Sequence, residues 1–161
     1  MYSLDPIDAR ILLARDEAND TPLIETAARL GISRNTMHAR LKRLRDGGVL
    51  DSPSTTVFPA ALGRPVLAFV ALSASQQDID SVYASLSEIP EVIEAHTTTG
   101  DSDLFIRVVA RDTADLHRVT QLIQLAPGVQ RTSTSIATTQ VVPRRMSPLL
   151  RRLANSTPRG S

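Results

Sequence analysis

The spacing of apolar side chains changes character along these 161 residues, from helical recurrence to strand-like alternation and back. In DPIDARILLARDEA (5–18), Ile7, Ile11, Leu12 and Ala14 recur at intervals that share one helical face. Asp5 fits the N-cap of that helix and Pro6 its first position. Thr21–Pro22 opens a second helix, with Glu25 in its first turn and Leu23, Ile24, Ala27, Ala28 and Leu30 along it, closing at Gly31. Only Ile32 then precedes Ser33, which reads as the cap of a third helix over 33–46. Two helices joined through one short glycine-containing turn make a helix-turn-helix. On the third helix Met37, Leu41 and Leu44 form a narrow apolar stripe. Asn35, Ala39, Lys42 and Asp46 lie opposite it, Arg34, His38 and Arg45 on one flank, and Thr36, Arg40 and Arg43 on the other. Gly47–Gly48 end the helix, and VLDSPSTTVF behind them predicts a short hairpin, or wing.

Behind the connector PAALGRP (59–65) the periodicity changes. VLAFVALS (66–73) predicts a strand apolar on both faces. DIDSVYASLSEIP predicts a helix ended by Pro90, and EVIEAHTTT and DLFIRVVA two strands about a Gly100–Asp101 hairpin. TADLHRVTQLIQLAPG predicts a helix capped at Thr113 and closed by Gly128, and the β-branched VQRTSTSIATTQVV a last strand. The fold class expected is α+β: a three-helix winged helix-turn-helix followed by a ferredoxin-like βαββαβ sandwich. Its boundaries fall at 1–52 for the winged helix-turn-helix domain, 53–64 for the linker and wing strand, 65–141 for the sandwich, and 142–161 for a basic tail. In that tail Ser147–Pro148 can start a short helix whose Leu149, Leu150 and Leu153 suit packing on the sheet domain. Its arginine pairs equally suit a loose basic arm on DNA or a solvated tail. Helices cover one face of such a sheet, and the apolar second face calls for a second copy of the chain, hence a dimer.

Charge sharpens this division. Residues 1–58 hold 8 basic and 8 acidic side chains, residues 59–140 hold 5 and 9, and residues 141–161 hold 5 arginines and no acid. SRNTMHARLKRLR (33–45) gathers five basic side chains without an acidic one in a chain of net charge +1. Together with the tight turn and the wing, this suits double-stranded DNA as a partner, the alternative being a solvated basic face that binds nothing. Arg40, Lys42, Arg43 and Arg45 are candidates for phosphate contacts. The capped N-terminal end (Ser33, Arg34, Asn35, Thr36, with Ala39) is the part that enters a major groove, Arg34 suiting guanine, Asn35 adenine and Ala39 a thymine methyl. His38 lies beside them, as a base contact or a bystander.

Other classes are disfavoured. The chain has no cysteine, so thiolate metal sites and a cysteine nucleophile are excluded. Asp101 and Asp103 alone are too few oxygens for a hard cation, and neither His96 nor His117 completes a catalytic or metal set, so no metal, cofactor or enzymatic activity is expected. The N-terminus carries no signal pattern and no apolar run approaches a membrane span, which makes a soluble cytoplasmic protein the expectation.

These motifs together resemble the Lrp/AsnC (leucine-responsive) family of transcription regulators over about residues 4–141. LDPIDARIL is similar to the family's opening helix, LGISRNTMHARLKRLRDGGVL to its helix-turn-helix, and TTTGDSDLFIRVVARD to its Gly-Asp-x-Asp hairpin. The resemblance implies a DNA-binding domain followed by one that dimerises, assembles further into tetramers or octamers, and senses small molecules, often amino acids. Two positions depart from the family pattern: Ser102 stands where an aromatic residue is usual, and Asp20 where an arginine is often found. The hairpin therefore has two readings. It is a turn with solvated acids, or an effector pocket in which Asp101 or Asp103 takes an ammonium and Gly100 and nearby amides take a carboxylate. In the second reading Ser102 changes or abolishes the usual effector, and Thr98, Thr132 and Thr134 add hydroxyls. The expected function is a sequence-specific DNA-binding regulator that senses an amino acid or similar molecule. A ligand-independent architectural DNA binder and a small dimeric ferredoxin-like enzyme are the alternatives.

Overall fold

The computed structural model describes residues 3–17 and 20–156. The chain divides into two compact units, one of residues 1–55 with 142–161 and one of residues 56–141.

The first unit holds α1 (Pro6–Glu17), α2 (Leu23–Arg29) and α3 (Arg34–Asp46). Asp5 and Asp8 cap α1 reciprocally: the Asp8 amide donates to Asp5 Oδ1 at 2.8 Å and the Asp5 amide to Asp8 Oδ2 at 3.3 Å. After α2 the Ile32 amide bonds back to the Ala27 carbonyl at 3.0 Å and the Gly31 amide to Ala28 at 3.0 Å. This paired closure needs a left-handed residue between the helices, and Gly31 supplies it at φ 67°. The Ser33 hydroxyl then accepts from the Thr36 amide at 3.0 Å and starts α3. Ile11, Ala27, Met37, Leu41 and Leu44 form the buried centre of the unit.

The expected wing hairpin does not form. Residues Pro53–Thr56 and Pro59–Leu62 make two short 3-10 turns with no strand between Gly48 and Pro65. Local side-chain bonds account for the difference. Asp51 Oδ1 accepts from the Ser52 amide at 2.9 Å, and the Thr55 hydroxyl donates to the Ser52 carbonyl at 2.7 Å, so the backbone is satisfied without a ladder.

The second unit is built on β1 (Val66–Ala74), α4 (Ile79–Ser87), β2 (Val92–Thr97), β3 (Leu104–Ala110), α5 (Thr113–Gln124) and β4 (Val129–Ile136). All neighbours are antiparallel in the order β2-β3-β1-β4, the ferredoxin-like arrangement. Ala68, Val70, Leu72, Ile106 and Val108 meet Val82 and Leu86 of α4 and Leu116, Val119 and Ile123 of α5 in one core. Each fully buried aliphatic side chain there contributes about 1.5–3 kcal/mol. Gly128 is required before β4, because a Cβ at that position would lie 2.5 Å from the Cβ of Asp78. The last strand ends at Ile136 rather than continuing to Val142. Its last ladder pair is with Ala68, two residues inside the start of β1, and the Ala137 amide reaches one residue further, to the Leu67 carbonyl at 2.9 Å. The cap of α5 is Asp112, one residue before the expected Thr113, its carboxylate accepting from the Asp115 amide at 2.8 Å.

The tail also differs from the sequence reading. Ser147–Ala154 is a helix, α6, and it packs on α1 in the first unit instead of on the sheet.

Candidate DNA interface and effector hairpin

On α3 the stripe of Met37, Leu41 and Leu44 is buried, and this fixes the direction of every other side chain. Ser33, Arg34, Asn35, Thr36, His38, Ala39, Lys42, Arg43 and Arg45 are exposed. Arg34, Asn35 and Thr36 occupy the first turn, at the positive end of the helix, where Ser33 caps the Thr36 amide. The Thr36 hydroxyl lies 2.9 Å from that of Ser33, so these two groups are pre-positioned on each other. Lys42 is ion-paired with Asp46 one turn on, which reduces the charge it offers an outside anion.

Arg40 is the exception, and its expected phosphate role is corrected. Its Nη1 lies 2.5 Å from Asp5 Oδ2 and 2.7 Å from Asp8 Oδ1, and its side chain is only 17% exposed. It clamps α3 to the start of α1 instead of facing outward. The hydrogen bond that Arg40 donates to Asp5 raises the Arg40 pKa above its ordinary value despite burial. At Asp5, burial opposes ionisation but is outweighed by the Arg40 hydrogen bond and by backbone amides, so its carboxyl sits below the ordinary value. A sequence signal for this existed: Met37, Arg40, Leu41 and Leu44 together follow the i, i+3, i+4, i+7 rule of a buried face.

In the second unit the hairpin between β2 and β3 is tied internally. The Thr98 hydroxyl donates to the Ser102 carbonyl at 2.6 Å, and the Thr98 amide to the Asp103 carbonyl at 2.9 Å. Asp103 Oδ2 accepts from the Ala74 amide at 2.9 Å, so this carboxylate closes the end of β1. Asp101 and Gly100 are exposed at the tip. Thr132 and Thr134 pair with Leu72 and Val70 on β4, on the far side of β1 from the hairpin strand β3. One chain therefore does not gather these residues into one cavity. A groove of about 400 Å³ between α4 and β2, lined by Tyr83, Leu86, Ile93, Ala95 and Leu104 among others, contains none of them.

Elsewhere in this unit an ion-pair network was not anticipated from sequence. Arg64 and Arg118 reach Glu91 at 3.2 and 2.8 Å, while Arg111 and Arg118 hold Asp115 at 3.3 and 2.8 Å. Asp115 accepts from the Arg111 amide as well as from both guanidiniums, and these bonds keep its carboxyl well below the ordinary range. His96 is exposed on β2 beside Glu94, and His117 is exposed on α5. Among the described residues no helix is long and apolar enough to cross a membrane, and no group of three or more acidic or histidine side chains is placed to hold a metal.

A capped, cation-bearing third helix in one unit and a ferredoxin-like sheet in the other define a two-domain DNA-binding regulator. Residues 4–51 match the family described as winged helix-turn-helix DNA-binding, and residues 67–147 match the Lrp/AsnC ligand binding domain. The chain belongs to the Lrp/AsnC family of transcriptional regulators. It is 32% identical to the HTH-type transcriptional regulator FL11 of Pyrococcus horikoshii over 133 residues, 83% of this chain and 88% of that protein. The solved structure of Escherichia coli AsnC, 32% identical, superposes with a TM-score of 0.81 over 91% of this chain and all of that one. The feast or famine regulatory protein of Mycobacterium tuberculosis, solved in complex with L-methionine, is 27% identical with a TM-score of 0.78, covering 89% of this chain and 98% of that one.

Proposed function

We propose that this regulator works in the cytoplasm as a homo-oligomer that reads a near-palindromic operator, without catalysing a reaction. The observation that carries this is the exposed first turn of α3, where Arg34, Asn35 and Thr36 stand free of the core on a capped helix. These side chains suit base edges, while Arg43 and Arg45 suit phosphates. Two copies related by a two-fold axis present two such helices, so half-sites fall about one helical turn apart or a multiple of it.

The uncovered face of the sheet supports the dimer. Phe69 and Phe105 stack there with ring centres 5.7 Å apart, flanked by the half-buried Leu67 and Ala71. A second sheet buries this face from water. Dimers then associate further into tetramers or octamers. An amino acid binds at the hairpin, with Asp101 on its ammonium and the exposed Gly100 amide near its carboxylate. The tuberculosis relative solved with L-methionine supports this class of ligand. Thr132 and Thr134 join such a site only where a neighbouring copy closes it, since β1 separates them from the hairpin within one chain. The effector shifts DNA affinity only by as much as it binds one assembly state better than another.

One observation favours a second reading, that of a ligand-independent DNA binder. Asp103 is engaged by the Ala74 amide, and Ser102 offers no aromatic wall. Footprinting upstream of the protein's own gene, with and without each of the common amino acids, tests both. Protection that shifts with one amino acid supports the effector, unchanging protection supports the second reading, and no protection refutes DNA regulation.

A further inference from the structure

The C-terminal segment concentrates arginine with no acidic residue beside it. Arg29, Arg40, Arg64, Arg107, Arg111 and Arg118 each lie within ion-pair distance of a carboxylate. Residues 142–156 contain Arg144, Arg145, Arg151 and Arg152 and no acid. All four are exposed, and among the described residues none forms an ion pair.

Their placement is not explained by helix stability alone. Arg151 and Arg152 lie in the last turn of α6, where a cation is favoured by the helix dipole. Arg144 and Arg145 lie just before the first turn, where the same dipole disfavours cations. Four like charges within nine residues, 144–152, also repel one another. An external polyanion relieves both penalties.

The segment is also held in place. Leu150, Leu153 and Ala154 are half-buried as α6 packs on α1, and this turns Arg151 and Arg152 outward. α6 thus belongs to the unit that carries α3. A cationic surface fixed to that unit travels with the recognition helix, and little conformational entropy remains to be lost when an anion binds it.

We propose that the α6 segment is a second DNA-contacting surface, in which Arg144, Arg145, Arg151 and Arg152 meet backbone phosphates of the duplex beyond the bases read by α3. This inference rests on the DNA-binding reading above. Contacts of this kind add affinity and salt dependence and carry no sequence information.

The test uses the full chain and two probes, a pool of random-sequence duplexes and a duplex bearing a site selected from that pool. Binding is titrated between about 50 and 200 mM salt. The quadruple variant R144Q/R145Q/R151Q/R152Q is compared with the all-lysine variant at the same positions, with thermal melting as the folding control. Glutamine weakens both probes by the same factor, about tenfold or more at low salt, and flattens the log–log salt slope. Each phosphate that is no longer neutralised takes about 0.9 from that slope, so one phosphate per protomer changes a dimer's value by about 2. Lysine retains the wild-type slope. A glutamine variant that matches wild type in slope and affinity overturns the proposal and leaves the α3 reading intact, the surface then serving an acidic protein. Wild-type protein that binds neither probe overturns both readings.

Discussion

The guanidinium of Arg40 lies 2.7 Å from the carboxylate of Asp8, whose side chain is completely buried. The pair joins the middle of the recognition helix to the first turn of α1, and Asp5 completes it at 2.5 Å. Orientation of α3 thus depends on a charged clasp as well as on its apolar stripe. Arg40→Ala leaves a buried carboxylate without this counter-ion and costs about 3 kcal/mol. DNA affinity then falls because the folded unit is depleted, not because a phosphate has gone unneutralised. Melting of the variant, alone and with DNA, separates the two: a variant that melts like wild type but binds DNA weakly would restore the phosphate role. Because the Asp5 carboxyl is held below its ordinary value, its contribution is complete above about pH 4, the ordinary carboxyl pKa, and is lost as pH falls through the lowered folded value. The Arg40→Ala penalty accordingly shrinks in acid.

That clasp marks where sequence reasoning succeeded and where it stopped. Helix starts and stops were legible because they are local: Asp5–Pro6, Ser33 and Gly31 act on amides within a few residues of themselves. The βαββαβ order was legible because buried strands and helices have different periods. Arg40 departs from the rule that charge faces water, because its spacing from Met37 and Leu44 puts it beside the core, where Asp5 and Asp8 neutralise it. The wing hairpin is absent where the Asp51 and Thr55 side chains bond the Ser52 amide and carbonyl locally. The docking of α6 on α1 joins residues more than a hundred positions apart, and neither pattern announces its partner.

Arg34 and Arg45 should separate specificity from affinity. Arg34 stands in the first turn of α3 and Arg45 in the last. Replacing Arg34 with Ala lowers discrimination between a selected site and single-base variants by about 1–3 kcal/mol at the base it reads. Replacing Arg45 with Ala weakens all sites alike and reduces the salt slope by about 0.9 per protomer. Competition binding against a panel of single-base variants checks both, and equal weakening on every site for Arg34→Ala would remove it from base reading.

Asp115 gives the second unit its own acid sensitivity. Its carboxyl is held well below the ordinary range by the Arg111 amide and by the Arg111 and Arg118 guanidiniums. A lowered folded pKa stabilises above the unfolded value, about 3.9, and that stabilisation disappears as pH falls towards the folded one. Asp115→Asn should therefore be clearly less stable than wild type at pH 7, with the difference narrowing below about pH 4. Urea midpoints measured across this range test it, and a gap independent of pH would show that packing, not charge, makes Asp115 matter.

The two hairpin aspartates should behave oppositely despite lying two residues apart. Asp103 receives the Ala74 amide, and Ala74 is nearly buried, so Asp103→Ala leaves a buried donor without an acceptor. That costs about 1–2 kcal/mol with or without any ligand. Asp101 is exposed at the tip, so Asp101→Ala should change stability by less than about 0.5 kcal/mol. If the hairpin binds an amino acid through a charge-assisted bond, the same substitution abolishes heat release in calorimetry against the responsive amino acid. Reduced stability with ligand binding intact at Asp103, and abolished binding with stability intact at Asp101, would assign the first to the strand and the second to the effector. Wild-type silence across the common amino acids would remove Asp101 from ligand binding altogether. Asp103 would keep its structural role, because the bond to Ala74 does not depend on a ligand.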